Sequence, residues 1–153
     1  MNYKFKKISN NEVIDLSAYV EQYMTEKPET KLYVGCDSQN KGDFTEFAIV
    51  VVLHYKNKGG HVLCTIIKVP RIRDKFYRLF TEASYSLEIA SYLKDMTGRM
   101  VDFVDLDLNP DPKFNSNAVL AQASGMITGC GFDVRCKPHA LSASYAADRL
   151  CKK

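Results

Sequence analysis

The chain has 153 residues, of which 46% are hydrophobic, with nine Tyr and eight Phe. That composition excludes a disordered chain and suits one domain, residues 1–153, around one core. The net charge of +3 and pI near 8.5 fall short of the roughly 9 expected of a plainly nucleic-acid-binding domain, so charge permits a polyanionic partner without demanding one.

The chain begins Met1-Asn2-Tyr3-Lys4-Phe5-Lys6-Lys7, which is basic but lacks the apolar segment and cleavage site of a signal peptide. No later apolar run approaches the roughly 20 residues a membrane helix needs. A soluble, cytoplasmic protein with no membrane partner is the expectation. Ser9 to Thr25 reads as an amphipathic helix, with Ser9 and Glu12 as a capping box and Val13, Leu16, Val20 and Tyr23 at helical spacing. Lys27-Pro28 breaks it, so residues 1–30 are expected to be an N-terminal helical extension.

Three strands follow. Leu32 to Asp37 alternates, Phe44 to Tyr55 is too apolar on both faces to lie at the surface, and Val62 to Val69 is the third. The short turns between them imply antiparallel pairing. From Asp74 to Met96 the period becomes helical, ended by Gly98. Val101 to Leu108 is a fourth strand, and a helix capped by Asn115 or Ser116 runs to about Thr128. Phe132 to Cys136 is a fifth strand, and Leu141 to Cys151 a last helix. The predicted architecture is a five-stranded mixed sheet, β-β-β-α-β-α-β-α, flanked by helices and preceded by one more. The five cysteines (Cys36, Cys64, Cys130, Cys136, Cys151) make no CxxC pair and read as reduced, mostly buried thiols.

Several acidic residues stand where an acid needs a reason. Asp37 lies inside a strand whose other residues look buried, where an unpaired carboxylate costs desolvation; capping the following turn is its alternative role. Glu82 sits at the edge of the long helix's apolar stripe, whereas Glu88 turns toward water; pairing with Arg78 is the ordinary role for Glu82. Asp107 lies nearer the strand end, where ligand sites in such sheets open. Asp105, on the same predicted face, is a possible second ligand or outer partner. Asp148 lies among Ala146, Ala147 and Leu150 on the last helix, with an ion pair to Arg149 as its ordinary role. Carboxylates converging from different elements can hold two divalent ions, which activate water and stabilise a departing oxyanion in phosphodiester hydrolysis. His139, in a loop, could shuttle protons. Arg71, Arg73, Lys75 and Arg78, near the start of the long helix, could meet phosphates or simply face solvent. Ser38 and Gln39 could touch substrate or shape their turn.

Val34-Gly35-Cys36-Asp37-Ser38-Gln39, Arg78-Leu79-Phe80-Thr81-Glu82, Asp107-Leu108-Asn109, Gly125 to Gly131, and Lys137-Pro138 through Ala147-Asp148-Arg149 resemble the YkuK-type branch of the ribonuclease H-like superfamily. The resemblance spans nearly all of the chain after Lys31. It implies that Asp37, Glu82, Asp107 and Asp148 take the four acidic metal-binding positions of ribonuclease H-type nucleases. His139 is similar to the mobile-loop histidine of the true ribonucleases H. Asn109 and Lys137 join Ser38, Gln39, Arg71, Arg73 and Arg78 as substrate-contact candidates. The chain departs from the pattern after Lys137-Pro138, where an acidic residue is expected, and near Asp105, where a histidine is expected.

The implied activity is a Mg2+- or Mn2+-dependent nuclease acting on RNA, an RNA–DNA hybrid or DNA. The other reading is a catalytically inactive module of the same fold that binds nucleic acid or a protein partner. An actin-like phosphotransferase is disfavoured, because Ser38-Gln39 after Asp37 offers no glycine-rich phosphate cradle and the chain is too short for two lobes.

Overall fold

The computed structural model describes residues 2–56, 59–108, 111, 113 and 117–136. Ten elements follow one another: β1 (Phe5–Lys7), β2 (Val13–Ile14), α1 (Leu16–Glu26), β3 (Thr30–Lys41), β4 (Phe44–Tyr55), β5 (Gly60–Pro70), α2 (Lys75–Thr97), β6 (Phe103–Leu106), α3 (Asn117–Gly129) and β7 (Val134–Cys136). The strands form one mixed sheet in the order β2-β1-β5-β4-β3-β6-β7. β3, β4 and β5 pair antiparallel as their short turns require, and β6 joins β3 and β7 in parallel.

Among the described residues the sheet has seven strands where five were expected. The two extra ones come from the N-terminal segment, so it is not purely helical. Asn11 adopts φ 59 and donates its N–H to the Lys7 carbonyl, turning the chain back so that Phe5 pairs with Ile14 and Lys6 with Val13. Asparagine tolerates the left-handed region better than most residues, and this turn displaces the Ser9–Glu12 capping box. The first helix starts later, with Asp15 as its N-cap accepting from Ala18 N at 3.1 Å.

β4 is buried from Phe47 to Leu53 on both faces, as its unbroken apolar run demands. On one face, Leu32, Val34, Cys36, Phe47, Ile49, Val51, Leu53 and Leu63 pack against Val20 of α1, Ala83, Ile89 and Leu93 of α2, and Val119, Ala123 and Ile127 of α3. Ala48, Val50, Val52 and Cys64 form a smaller cluster on the opposite face. α2 begins at the Asp74 N-cap and ends at Gly98, whose φ of 73 is the left-handed cap that glycine adopts at little cost. Among the described residues, Cys36 and Cys64 are buried, Cys136 is half-buried and Cys130 exposed, and no helix is long and apolar enough to cross a membrane. The predicted last helix, Leu141 to Cys151, lies outside the described residues.

Candidate active site

The parallel register of β3 and β6 sets the site. Tyr33 pairs with Phe103, Val34 with Val104, and Gly35 with Asp105. Two residues beyond that last pair come Asp37, still within β3, and Asp107, just past the end of β6. β6 ends at Leu106 while β3 continues to Lys41, leaving that edge of β3 without β6 at the carboxyl end of a parallel pair. Such sheets bind ligands at this end.

α2 lies across this end and contributes Glu82, only 6% exposed. Ser38, next to Asp37, donates its hydroxyl to Glu82 Oε2 at 2.6 Å. Burial is the largest influence on the Glu82 carboxyl, lifting its pKa well above the ordinary 4.5. The Asp37 charge adds to that lift; the Ser38 hydrogen bond and the Arg78 charge oppose it, and Asp107 raises it further. Acids from β3, from α2 and from the chain just past β6 therefore act on one another. Glu88 is exposed and accepts hydrogen bonds from Tyr3 Oη at 2.8 and 3.2 Å, so of the two helix glutamates only Glu82 faces this field.

Asp105 behaves differently from expectation. It is fully buried and paired with Arg135, Nε to Oδ1 at 2.8 Å and Nη2 to Oδ2 at 3.0 Å. The two residues are cross-strand partners in the β6–β7 register. The Arg135 guanidinium lies over Tyr33 at 4.3 Å and Phe103 at 4.7 Å. A carboxylate matched by a bidentate guanidinium is a poor candidate for a metal ligand, and this removes Asp105 as a rival to Asp107. Asp107 lies just beyond the end of the strand that carries Asp105. Only the register between β6 and β7 reveals the Asp105–Arg135 pair, since thirty residues separate them in sequence.

The other candidates are placed as follows. Gln39 is half-buried, and its side-chain oxygen accepts no hydrogen bond among the described residues. Arg71 and Arg73 are exposed; Arg71 donates to the Gly42 carbonyl at 2.7 Å. Arg78 is half-buried and bears on Glu82 through its charge. Asn109, Lys137, His139 and Asp148 lie outside the described residues. Sequence reasoning missed the Ser38–Glu82 bond, whose one signal was a hydroxyl residue beside the strand aspartate.

Asp37, Glu82 and Asp107 offer only oxygen donors, the kind hard divalent ions take. A cation among them would offset the repulsion that favours the protonated form of Glu82. Among the described residues, no group of three or more His, Cys, Asp or Glu stands close enough together to hold a metal ion. Magnesium commonly keeps several waters and takes one or two carboxylates from a protein, so the described acids fit such an ion in donor type.

A sheet with this order, its acids at the carboxyl end of a parallel pair and a helix glutamate between them, has the architecture of the ribonuclease H-like class. The chain belongs to the ribonuclease H-like family, whose model matches residues 14–152. It is similar to the uncharacterized protein YkuK of Bacillus subtilis (strain 168), 27% identical over 137 residues that cover 79% of this chain and 78% of that one. The expected YkuK-type resemblance is borne out. Among solved structures it is similar to RNase H1 from the halophilic archaeon Halobacterium salinarum NRC-1, 19% identical with a TM-score of 0.42, over 79% of this chain and 92% of that chain.

Proposed function

We propose that this protein is a metal-dependent nuclease that hydrolyses phosphodiester bonds in RNA, an RNA–DNA hybrid or DNA, with Asp37, Glu82 and Asp107 holding Mg2+ or Mn2+. The observation that carries this reading is a buried helix carboxyl, Glu82, held by the residue next to Asp37. A buried carboxyl lifted by Asp37 and Asp107 is a poor structural element, because burying like charges together destabilises a fold. Carboxyls perturbed in this way cluster at functional sites.

The chain's own groups have separable tasks. Ser38 fixes one oxygen of Glu82 and holds the carboxylate's orientation. Asp37, in β3, and Asp107, just past β6, would supply further acceptor oxygens. Arg78 adds positive charge near the point where a phosphate would arrive. Bound Mg2+ or Mn2+ would supply the acidified water and the charge neutralisation that such hydrolysis needs. Asp148 and His139 complete the proposal as the fourth carboxylate and a proton carrier.

The test is cleavage of labelled RNA, RNA–DNA hybrid, single-stranded DNA and duplex DNA with Mg2+, with Mn2+ and with a chelator. Metal-dependent cleavage of at least one of them is expected, with Asp37→Asn reducing it by about a hundredfold or more. Undiminished cleavage by Asp37→Asn would remove Asp37 from the mechanism. Metal-independent binding with no cleavage of any substrate would favour a non-cutting module instead.

A further inference from the structure

We propose that the surface formed by Phe76 and Tyr77, with Arg71 and Arg73 beside them, holds an unpaired stretch of nucleic acid bound for the acidic site. This deepens the nuclease reading and rests on it, naming a single-stranded segment as the substrate class.

The first observation is exposure. Phe44 is 47% exposed, Phe76 40% and Tyr77 59%. The other large exposed apolar side chains among the described residues, Val13, Ile66, Met96 and Met100, are aliphatic. Of the three exposed rings, Phe76 and Tyr77 stand side by side at the start of α2, whereas Phe44 lies on the sheet face opposite α2. Leaving such rings in water forgoes the stabilisation their burial would bring, and the run from Arg73 to Tyr77 is exposed throughout.

The second is rigidity. The segment entering α2 is tied to the β3–β4 hairpin by several hydrogen bonds. Arg71 N donates to the Asp43 carbonyl at 2.9 Å, and Arg71 Nη1 to the Gly42 carbonyl at 2.7 Å. Ile72 N donates to Thr45 Oγ1 at 2.8 Å, Asn40 Nδ2 donates to the Ile72 carbonyl at 3.2 Å, and Thr45 Oγ1 donates to Asn40 Oδ1. These bonds fix the stretch bearing Phe44 against the stretch leading to Phe76 and Tyr77. A surface ordered before binding loses less freedom on binding.

The third is charge and position. Arg71, Arg73, Lys75 and Arg78 lie within one eight-residue stretch that also carries Phe76 and Tyr77. The α2 N-terminus itself is occupied, since Asp74 caps Tyr77 N; phosphates here would meet side chains rather than that helix end. Arg78 carries the positive charge on to Glu82. Tyr77 and Glu82 are five residues apart on one helix, about 7.5 Å along its axis and about 140° around it, so a strand held at Tyr77 reaches Glu82 by passing round the start of α2.

Aromatic rings interleaved with cations suit single strands, because only an unpaired base offers a free face for stacking. A duplex keeps its base faces stacked and presents backbone and groove edges instead. The shared chemistry, a base face beside a phosphate, is common to RNA and DNA, and comparing the two shows whether the 2′-hydroxyl contributes.

The experiment measures fluorescence anisotropy of the full chain with chelator present, so that binding is read without cleavage. The probes are short labelled single strands of RNA and of DNA, and the blunt duplexes made from them. Single strands are expected to bind at least about tenfold more tightly than duplexes. The paired substitution Phe76→Ala and Tyr77→Ala is expected to weaken single-strand binding by about 5- to 100-fold while leaving its salt dependence unchanged; Arg73→Gln is expected to lower the salt slope. The rescue pair Phe76→Tyr and Tyr77→Phe, checked for folding by circular dichroism, should bind as wild type. Equal affinity for duplexes, or unaltered binding by the alanine pair, overturns the proposal. So does concentration-dependent self-association, lost in the alanine pair, without nucleic-acid binding. The two readings fail separately. Stacking-dependent binding with no metal-dependent cleavage sinks the nuclease, whereas cleavage that ignores the alanine pair sinks only this surface.

Discussion

Ser38 donates its hydroxyl to Glu82 Oε2 at 2.6 Å, joining the strand that carries Asp37 to the helix that faces it. A short hydrogen bond to a carboxylate fixes orientation as well as adding stability. Ser38→Ala is therefore expected to lower metal-dependent cleavage by about 10- to 100-fold, the usual effect of losing a partner that orients a ligand, and Ser38→Thr to restore most of it. A Mn2+ titration separates this role from substrate contact: apparent metal affinity should fall in Ser38→Ala while KM for nucleic acid stays near wild type. A change in KM alone would return Ser38 to the substrate side.

Glu82 gives a pH prediction for chelator-treated protein. Its pKa in the folded protein is raised by burial first and Asp37 second, so between the ordinary 4.5 and the raised value the folded chain binds more protons than the unfolded one. By linkage, stability falls as pH climbs through that window and is recovered below it. Glu82→Gln, which keeps an oxygen for the Ser38 bond, should stabilise the protein at about pH 8 by on the order of 1 kcal/mol and lose that advantage at about pH 4. Melting curves at the two pH values decide it; an equal shift at both would point to packing rather than charge.

Cations should act on the same group in the opposite sense. If Mg2+ or Mn2+ binds the folded site, a hundredfold excess over Kd stabilises by about 2.7 kcal/mol, several degrees in Tm for a chain of this size. Asp37→Asn and Glu82→Gln should each flatten that response. Wild-type melting indifferent to millimolar-range Mn2+ would argue that the acids are not ligands.

The Asp105–Arg135 pair is predicted to hold the fold rather than to act in the chemistry. Removing one side of a buried ion pair typically costs about 3–5 kcal/mol, so Arg135→Ala should destabilise strongly, through loss of the pair and of its contact with Tyr33 and Phe103. A cycle with Asp105→Asn should show coupling above about 1 kcal/mol. Metal affinity per folded molecule should be unchanged; a fall in it would restore Asp105 to the site.

Long, strongly patterned elements were legible before any coordinates. Phe44–Tyr55 matches the predicted strand, and α2 (Lys75–Thr97) lies within a residue of its predicted bounds and stops at the expected Gly98. Asp37 was visible as an acid inside a buried strand, and Glu82 as a helix acid on the edge of the apolar stripe. The N-terminal hairpin was not legible, because strands of three and two residues carry no period of their own and depend on β5 for pairing. The role of Asp105 was hidden for a related reason. Its partner lies on β7, and cross-strand level is a property of the sheet, not of either segment.

That hairpin has a consequence for life at high concentration. β1 meets β5 only at Leu63 and Cys64, and the rest of β5 runs on through Ile66 and Lys68 to Pro70. A charged lysine and a proline lacking an N–H are common guards against a foreign strand docking on a sheet margin. The first residues of the chain thus act as a bumper over the stretch those guards do not reach. Without them, crowded copies would gain a seam along which to stick to one another.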